Sequence, residues 1–207
     1  LPIYTQQVLG LDVLGTGLLL LPGGLLMGLL APLVGRTYDR VGPRPLVVPA
    51  AVLVSLALGG LTLAGRSTSS WWLLACHVVL SLGLALMFTP LFTAALGAVP
   101  PRLYSHGSAV IGTVQQVAGA AGTALFVTVL TGTAIARAAA GASDIAATAA
   151  GVHAAFAVGA VISLLAIPAS LLVRGHPAVA EHSPASEHPP ASEHQPASEH
   201  PPASEHP

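Results

Sequence analysis

Leu46-Val-Val-Pro-Ala-Ala-Val-Leu-Val-Ser-Leu-Ala-Leu-Gly-Gly-Leu-Thr-Leu-Ala64 runs for nineteen residues without a charge. At 1.5 Å per residue such a helix covers about 28 Å, close to the roughly 30 Å hydrocarbon core of a bilayer. Four further runs share this character: Thr16 to Val34, Trp71 to about Leu96, Ser108 to about Ile135, and His153 to Val173. Inside hydrocarbon only a helix or a closed barrel satisfies its own backbone. The runs are continuously apolar and do not alternate as barrel strands would. The fold class that follows is an all-α integral membrane protein with five transmembrane helices, plus the end of a sixth at Leu1 to Leu9.

Composition agrees. Apolar residues make up 53% of the chain and charged residues 7%, where a soluble domain carries roughly a quarter charged. Five of the eight acids (Glu181, Glu187, Glu193, Glu199 and Glu205) lie in the last stretch, leaving Asp12, Asp39 and Asp144 among the spans. A net charge of −1 excludes a nucleic-acid partner, which requires a basic face. Cys76 is the single cysteine, so neither a disulfide framework nor a cysteine-paired metal site is available. No metal and no cofactor is implied. The chain opens on Leu1 without the basic start of a signal peptide. Its first nine residues are too few to cross a bilayer, and they read as the end of a helix whose beginning lies elsewhere.

The connections orient the spans. Arg36, Arg40, Arg44, Arg102 and Arg174 fall on one side, Arg66 and Arg137 on the other. Five against two makes the first side cytoplasmic, and the tail ends inside the cell. From about Gly175 (residues 176–207) the sequence repeats Ala-Ser-Glu-His and a proline-containing pair every six residues. Such a segment has nothing large enough to bury and is expected to be disordered with polyproline character. That geometry holds successive histidines roughly 18 Å apart, so a solvated repeat is favoured over metal binding.

The connection between the first two spans reads Gly35-Arg36-Thr37-Tyr38-Asp39-Arg40-Val41-Gly42-Pro43-Arg44. A positive-inside anchor explains its arginines but not the spacing of Gly, Asp and Gly. Asp39 is suited to bond the arginines or free helix-end amides, and Gly42 permits a tight reversal. At Gly35, Asp39, Arg40, Gly42 and Arg44 the chain resembles the major facilitator superfamily, whose halves carry a G-x-x-x-D-R-x-G-x-R loop between their second and third helices. Leu1-Pro-Ile-Tyr-Thr-Gln-Gln-Val-Leu-Gly, Gly17-Leu-Leu-Leu-Leu-Pro-Gly-Gly, and His106-Gly-Ser-Ala with Gln115-Gln-Val-Ala-Gly-Ala-Ala-Gly-Thr-Ala resemble its fourteen-helix drug:proton antiporters, the EmrB/QacA group.

That resemblance implies the C-terminal half of a secondary transporter: helices ten to fourteen, with the stub of helix nine. The activity it implies is proton-coupled export of hydrophobic or cationic small molecules across the cell membrane. Its partners are then a small-molecule substrate, the lipid bilayer, the proton as coupling ion, and the missing N-terminal half. It also implies that the third and sixth helices of the half face lipid while the first and fourth line the central cavity. Spans 46–64 and 153–173, at those third and sixth places, are the most uniformly apolar.

Polar residues gather in the fourth and fifth places instead: His77, Ser81 and Thr89, then Gln115 and Gln116. Polar groups at membrane depth face protein or water, so Gln6, His77, Ser81, Gln115 and Gln116 are the candidate cavity-lining residues. For His77 a neutral ring bonded to a neighbouring helix is favoured over a proton carrier, and the glutamines are suited equally to substrate or to helix locking. Gly24, Gly28, Gly119 and Gly122 read as close-packing faces, and Pro22, Pro32 and Pro90 as bends. No carboxylate lies mid-span, so a proton-carrying carboxylate is expected outside this fragment. An enzyme is disfavoured: neither G-x-S-x-G nor H-E-x-x-H occurs, and His77 has no acidic partner at helical spacing. The remaining alternative is a non-transporting membrane protein or an inactive truncated transporter.

Overall fold

The computed structural model describes residues 1–64 and 68–173. The repeat tail, Arg66 and Arg174 lie outside the described residues. The elements are α1 (Pro2–Gln7), α2 (Val13–Val41), α3 (Arg44–Thr62), α4 (Ser70–Gly97), a 3₁₀ turn at Pro101–Leu103, α5 (Tyr104–Ala139) and α6 (Asp144–Leu171). Five of these helices are long and apolar enough to cross a membrane. The chain is a multi-pass membrane protein.

Every span is placed where the apolar runs lie, but the ends differ because capping and turn residues, not hydropathy, set them. Asp12 caps α2, its Oδ1 accepting from the Gly15 amide at 2.9 Å. Ser69 caps α4 and Ser143 caps α6. The helix α6 therefore begins at Asp144, which was expected in a loop, and His153 sits well inside the helix rather than at its start. A carboxylate in the first turn suits the positive end of the helix dipole. Pro22, Pro32 and Pro90 lie inside α2 and α4, and each helix continues through its proline.

The expected loop at 35–44 is mostly helix. α2 runs on through Asp39 and Arg40 to Val41, and only Gly42 and Pro43 separate it from α3. Gly42 has φ +77° and ψ −177° and donates its amide to the Tyr38 carbonyl at 2.8 Å, closing α2 with a backbone conformation that is essentially glycine's alone. Pro43 then leads into Arg44. In this conformation a side chain costs about 1–3 kcal/mol. Gly42→Val is expected to lower the unfolding midpoint of the detergent-solubilised protein, and an unchanged midpoint would contradict this turn.

Packing runs in the order α2, α4, α3, α6, α5, with α1 touching α6 and α2. α3 lies antiparallel to α4, since Trp72 Nε1 donates to the Gly60 carbonyl at 3.1 Å near one end while Gly83 meets Ala50 and Val54 further along. α3 and α6 hold most of the buried side chains, among them Leu46, Val47, Leu61 and Val152. Their other faces, with Leu56, Val161, Leu164 and Leu165, are exposed. α5 buries no residue; it leans on α6 and leaves the rest of its surface uncovered.

Candidate functional site

Three places bring polar side chains of the spans against a neighbouring helix or an open cavity. The first is the seam between α2 and α4. The His77 ring reaches α2, and its Nε2 lies 3.1 Å from the Leu20 carbonyl. A carbonyl only accepts, so Nε2 carries the proton and the neutral tautomer fits this geometry. Nδ1 is buried and has no hydrogen-bond partner among the described residues. The seam is this close because α2 offers Gly23: a methyl group there would lie 2.6 Å from His77 Nε2 and 2.5 Å from Ser81 Oγ. His77 and Ser81, one turn apart, thus share one glycine. The sequence suggested Gly24 and Gly28 for close packing, but a methyl group added at either would meet no neighbouring segment within 4 Å among the described residues, nor would one at Gly119 or Gly122. The close approaches fall at Gly23, Gly60, Gly83, Gly151 and Gly159, which meet neighbouring helices.

The second place is the contact of α1 with α2 and α6. Thr5 and Thr16 hydroxyls are 3.2 Å apart and buried, tying α1 to α2. Tyr4 is buried and its ring centroid lies 5.8 Å from that of His153, at an interplanar angle of 34°. His153 Nε2 is buried without a hydrogen-bond partner among the described residues. Sequence reasoning passed over His153, because taking it as the first residue of its span put it at the interface. The only signal was the capping pair Ser143-Asp144, which moves the helix start back and the histidine inward. Gln6, next to Thr5, is exposed.

The third place is an open cavity of about 300 Å³ between α4 and α5, lined by Phe88, Thr89, Phe92, Thr93 and Gln115. Gln116 is exposed beside it and does not line it. Neither glutamine makes a hydrogen bond among the described residues, so neither locks α5 to another described helix. The candidates are therefore not brought into one site. His77 and Ser81 face α2, Gln115 faces the α4–α5 cavity, and Gln6 stands near α1.

The Gly-Asp-Arg-Gly-Arg group sits at one end of the bundle. Arg36, Asp39 and Arg40 are exposed on the last turns of α2, and Arg44 opens α3. Arg102 lies at the same end, between α4 and α5, and Arg137 at the other, on the last turn of α5. Asp39 makes no ion pair among the described residues.

A family model of the Major Facilitator Superfamily matches residues 1–123, more than half of the chain. The chain belongs to the Major Facilitator Superfamily. Relatives within it include a lincomycin resistance protein, LmrB, of Listeria innocua, 38% identical over 179 residues that cover 84% of this chain and 38% of that protein. An uncharacterized MFS-type transporter of Bacillus subtilis, YcnB, is 39% identical over 166 residues, covering 80% of this chain and 34% of its own length. A multidrug resistance protein B homolog of Mycobacterium tuberculosis is 32% identical over 133 residues, covering 63% and 25%. The chain thus spans between a quarter and two fifths of the length of these relatives.

Proposed function

We propose that this chain is the C-terminal half of a transporter that exports hydrophobic or cationic small molecules across the cell membrane, driven by proton entry. The observation that carries this reading is the 38% identity, over 84% of the chain, to a protein named for lincomycin resistance. The architecture supports it. Five membrane-crossing helices are packed so that α5 and the α4–α5 cavity stay open on one side. That open side is the surface a second half would complete, as alternating access needs two halves around one site. A fourteen-helix EmrB/QacA-like protein is the group this reading favours. The N-terminal half then supplies the proton-carrying carboxylate, since Asp12, Asp39 and Asp144 all stand at or near helix ends.

In this reading Gly35, Asp39, Arg40, Gly42 and Arg44 form a conformational switch at the cytoplasmic end. Asp39, Arg40 and Arg44 are exposed and so free to meet the other half. Four arginines of the described residues gather at that end against one at the other, which supports reading that end as cytoplasmic. The test is efflux of ethidium from cells making the complete reading frame, with and without a proton uncoupler. Efflux that stops on adding the uncoupler is expected. Efflux indifferent to it would sink the proton coupling.

A further inference from the structure

We infer that Phe88, Thr89, Phe92 and Thr93 of α4, with Gln115 of α5, form a half-site for an amphiphile with one apolar face and several neutral hydrogen-bonding groups. This inference rests on the transport reading and narrows its substrate class. The residues lie one helical turn apart in two rows. Phe88 and Phe92 are an i, i+4 pair, and so are Thr89 and Thr93, so the two rings form one stripe and the two hydroxyls the adjoining one. Gln115 faces them from α5. The rings are 49% and 37% exposed, so both offer surface to a ligand.

The polar groups decide what the ligand must carry. The hydroxyls of Thr89 and Thr93, and the amide of Gln115, make no hydrogen bond among the described residues. A polar group left bare at membrane depth is costly, so a purely apolar occupant fits poorly here. Charge recognition is absent from the lining: every polar group is neutral, and a cation would find only ring faces. At about 300 Å³ the cavity is at the lower limit of small-molecule sites, as expected of one wall whose opposite wall comes from elsewhere.

The experiment uses the complete reading frame in membranes. Binding of a neutral fluorescent alkyl glucoside is measured by polarisation, and efflux of the same probe and of ethidium is followed with and without the uncoupler. The variants are Gln115→Leu and the pair Thr89→Val with Thr93→Val, which keep shape and remove hydrogen bonding. Each variant is expected to weaken glucoside binding about tenfold, and Phe92→Ala is expected to weaken it as well. Unchanged glucoside binding in the valine and leucine variants would overturn the site, as would an equal loss of binding in Thr131→Val, whose hydroxyl bonds within its own helix away from the cavity. If binding falls as expected while no efflux responds to the uncoupler, the site stands and the proton-driven transport reading falls.

Discussion

Gly151→Leu is expected to cost the protein about 3 kcal/mol or more, the upper range for overpacking a tight contact, and to abolish its recovery as a single species in detergent. A Cβ at Gly151 would run into the Leu130 carbonyl oxygen of α5 and come within 3.4 Å of Ala134 Cβ. The obstacle is backbone, which has no rotamer to escape into, so α5 must move away from α6. That contact is the main one holding α5 to the bundle. Gly132→Leu is the control, because a methyl group added there would meet no neighbouring segment within 4 Å among the described residues. Surface changes of this kind shift stability by about 0.5 kcal/mol or less. Equal thermal midpoints for the two variants in size-exclusion assays would contradict the α5–α6 packing.

The seam at Gly23 gives a prediction whose sign changes with its neighbour. Glycine to alanine inside a helix ordinarily gains about 1 kcal/mol. At Gly23 the added methyl meets His77 Nε2 and Ser81 Oγ at 2.6 and 2.5 Å, and moving the ring away breaks its bond to the Leu20 carbonyl. Overpacking of about 1–3 kcal/mol then outweighs the helix gain, so Gly23→Ala is expected to destabilise. With His77→Ala and Ser81→Ala both in place the two obstacles are gone and the same change is expected to stabilise. A coupling of up to about 3 kcal/mol between Gly23→Ala and that pair of changes follows, measurable as a double-mutant cycle of thermal midpoints. Additive midpoints would mean that His77 and Ser81 do not rest on Gly23.

The spans were legible because a helix in hydrocarbon must be apolar along its length, and nothing in a loop imitates nineteen such residues. Their ends were not, because a cap such as Ser143 with Asp144 is polar and reads as loop to a hydropathy count. That error hid His153. The close-packing glycines among the described helices were hard to pick out for a related reason: small residues mark where helices can approach, but only the helix rotation says which of Gly23 and Gly24 does. The Gly42 reversal was legible because a positive-φ turn before proline leaves few residue choices. Asp39 was harder. Its spacing suggested a loop carboxylate near α3, whereas it rides on the last turns of α2, unpaired among the described residues.

The cavity between α4 and α5 was half visible. Gln115 and Thr89 stood out as polar residues in apolar runs. Phe88 and Phe92 did not, since an aromatic pair in a span looks like any lipid-facing or core pair until a neighbouring helix leaves it uncovered. Likewise the sequence grouped Gln6, His77, Ser81 and the two glutamines by polarity. Helix rotation separates them, turning His77 and Ser81 onto α2 while Gln115 looks across to α4.

The most direct test of the account is transport in sealed proteoliposomes under an imposed proton gradient, with ethidium as cargo, comparing the complete reading frame with residues 1–207 alone. The account predicts gradient-driven accumulation with the complete protein and none with the 207-residue chain. Accumulation by the chain alone would contradict its being one half of a transporter, and none by the complete protein would contradict transport of this cargo.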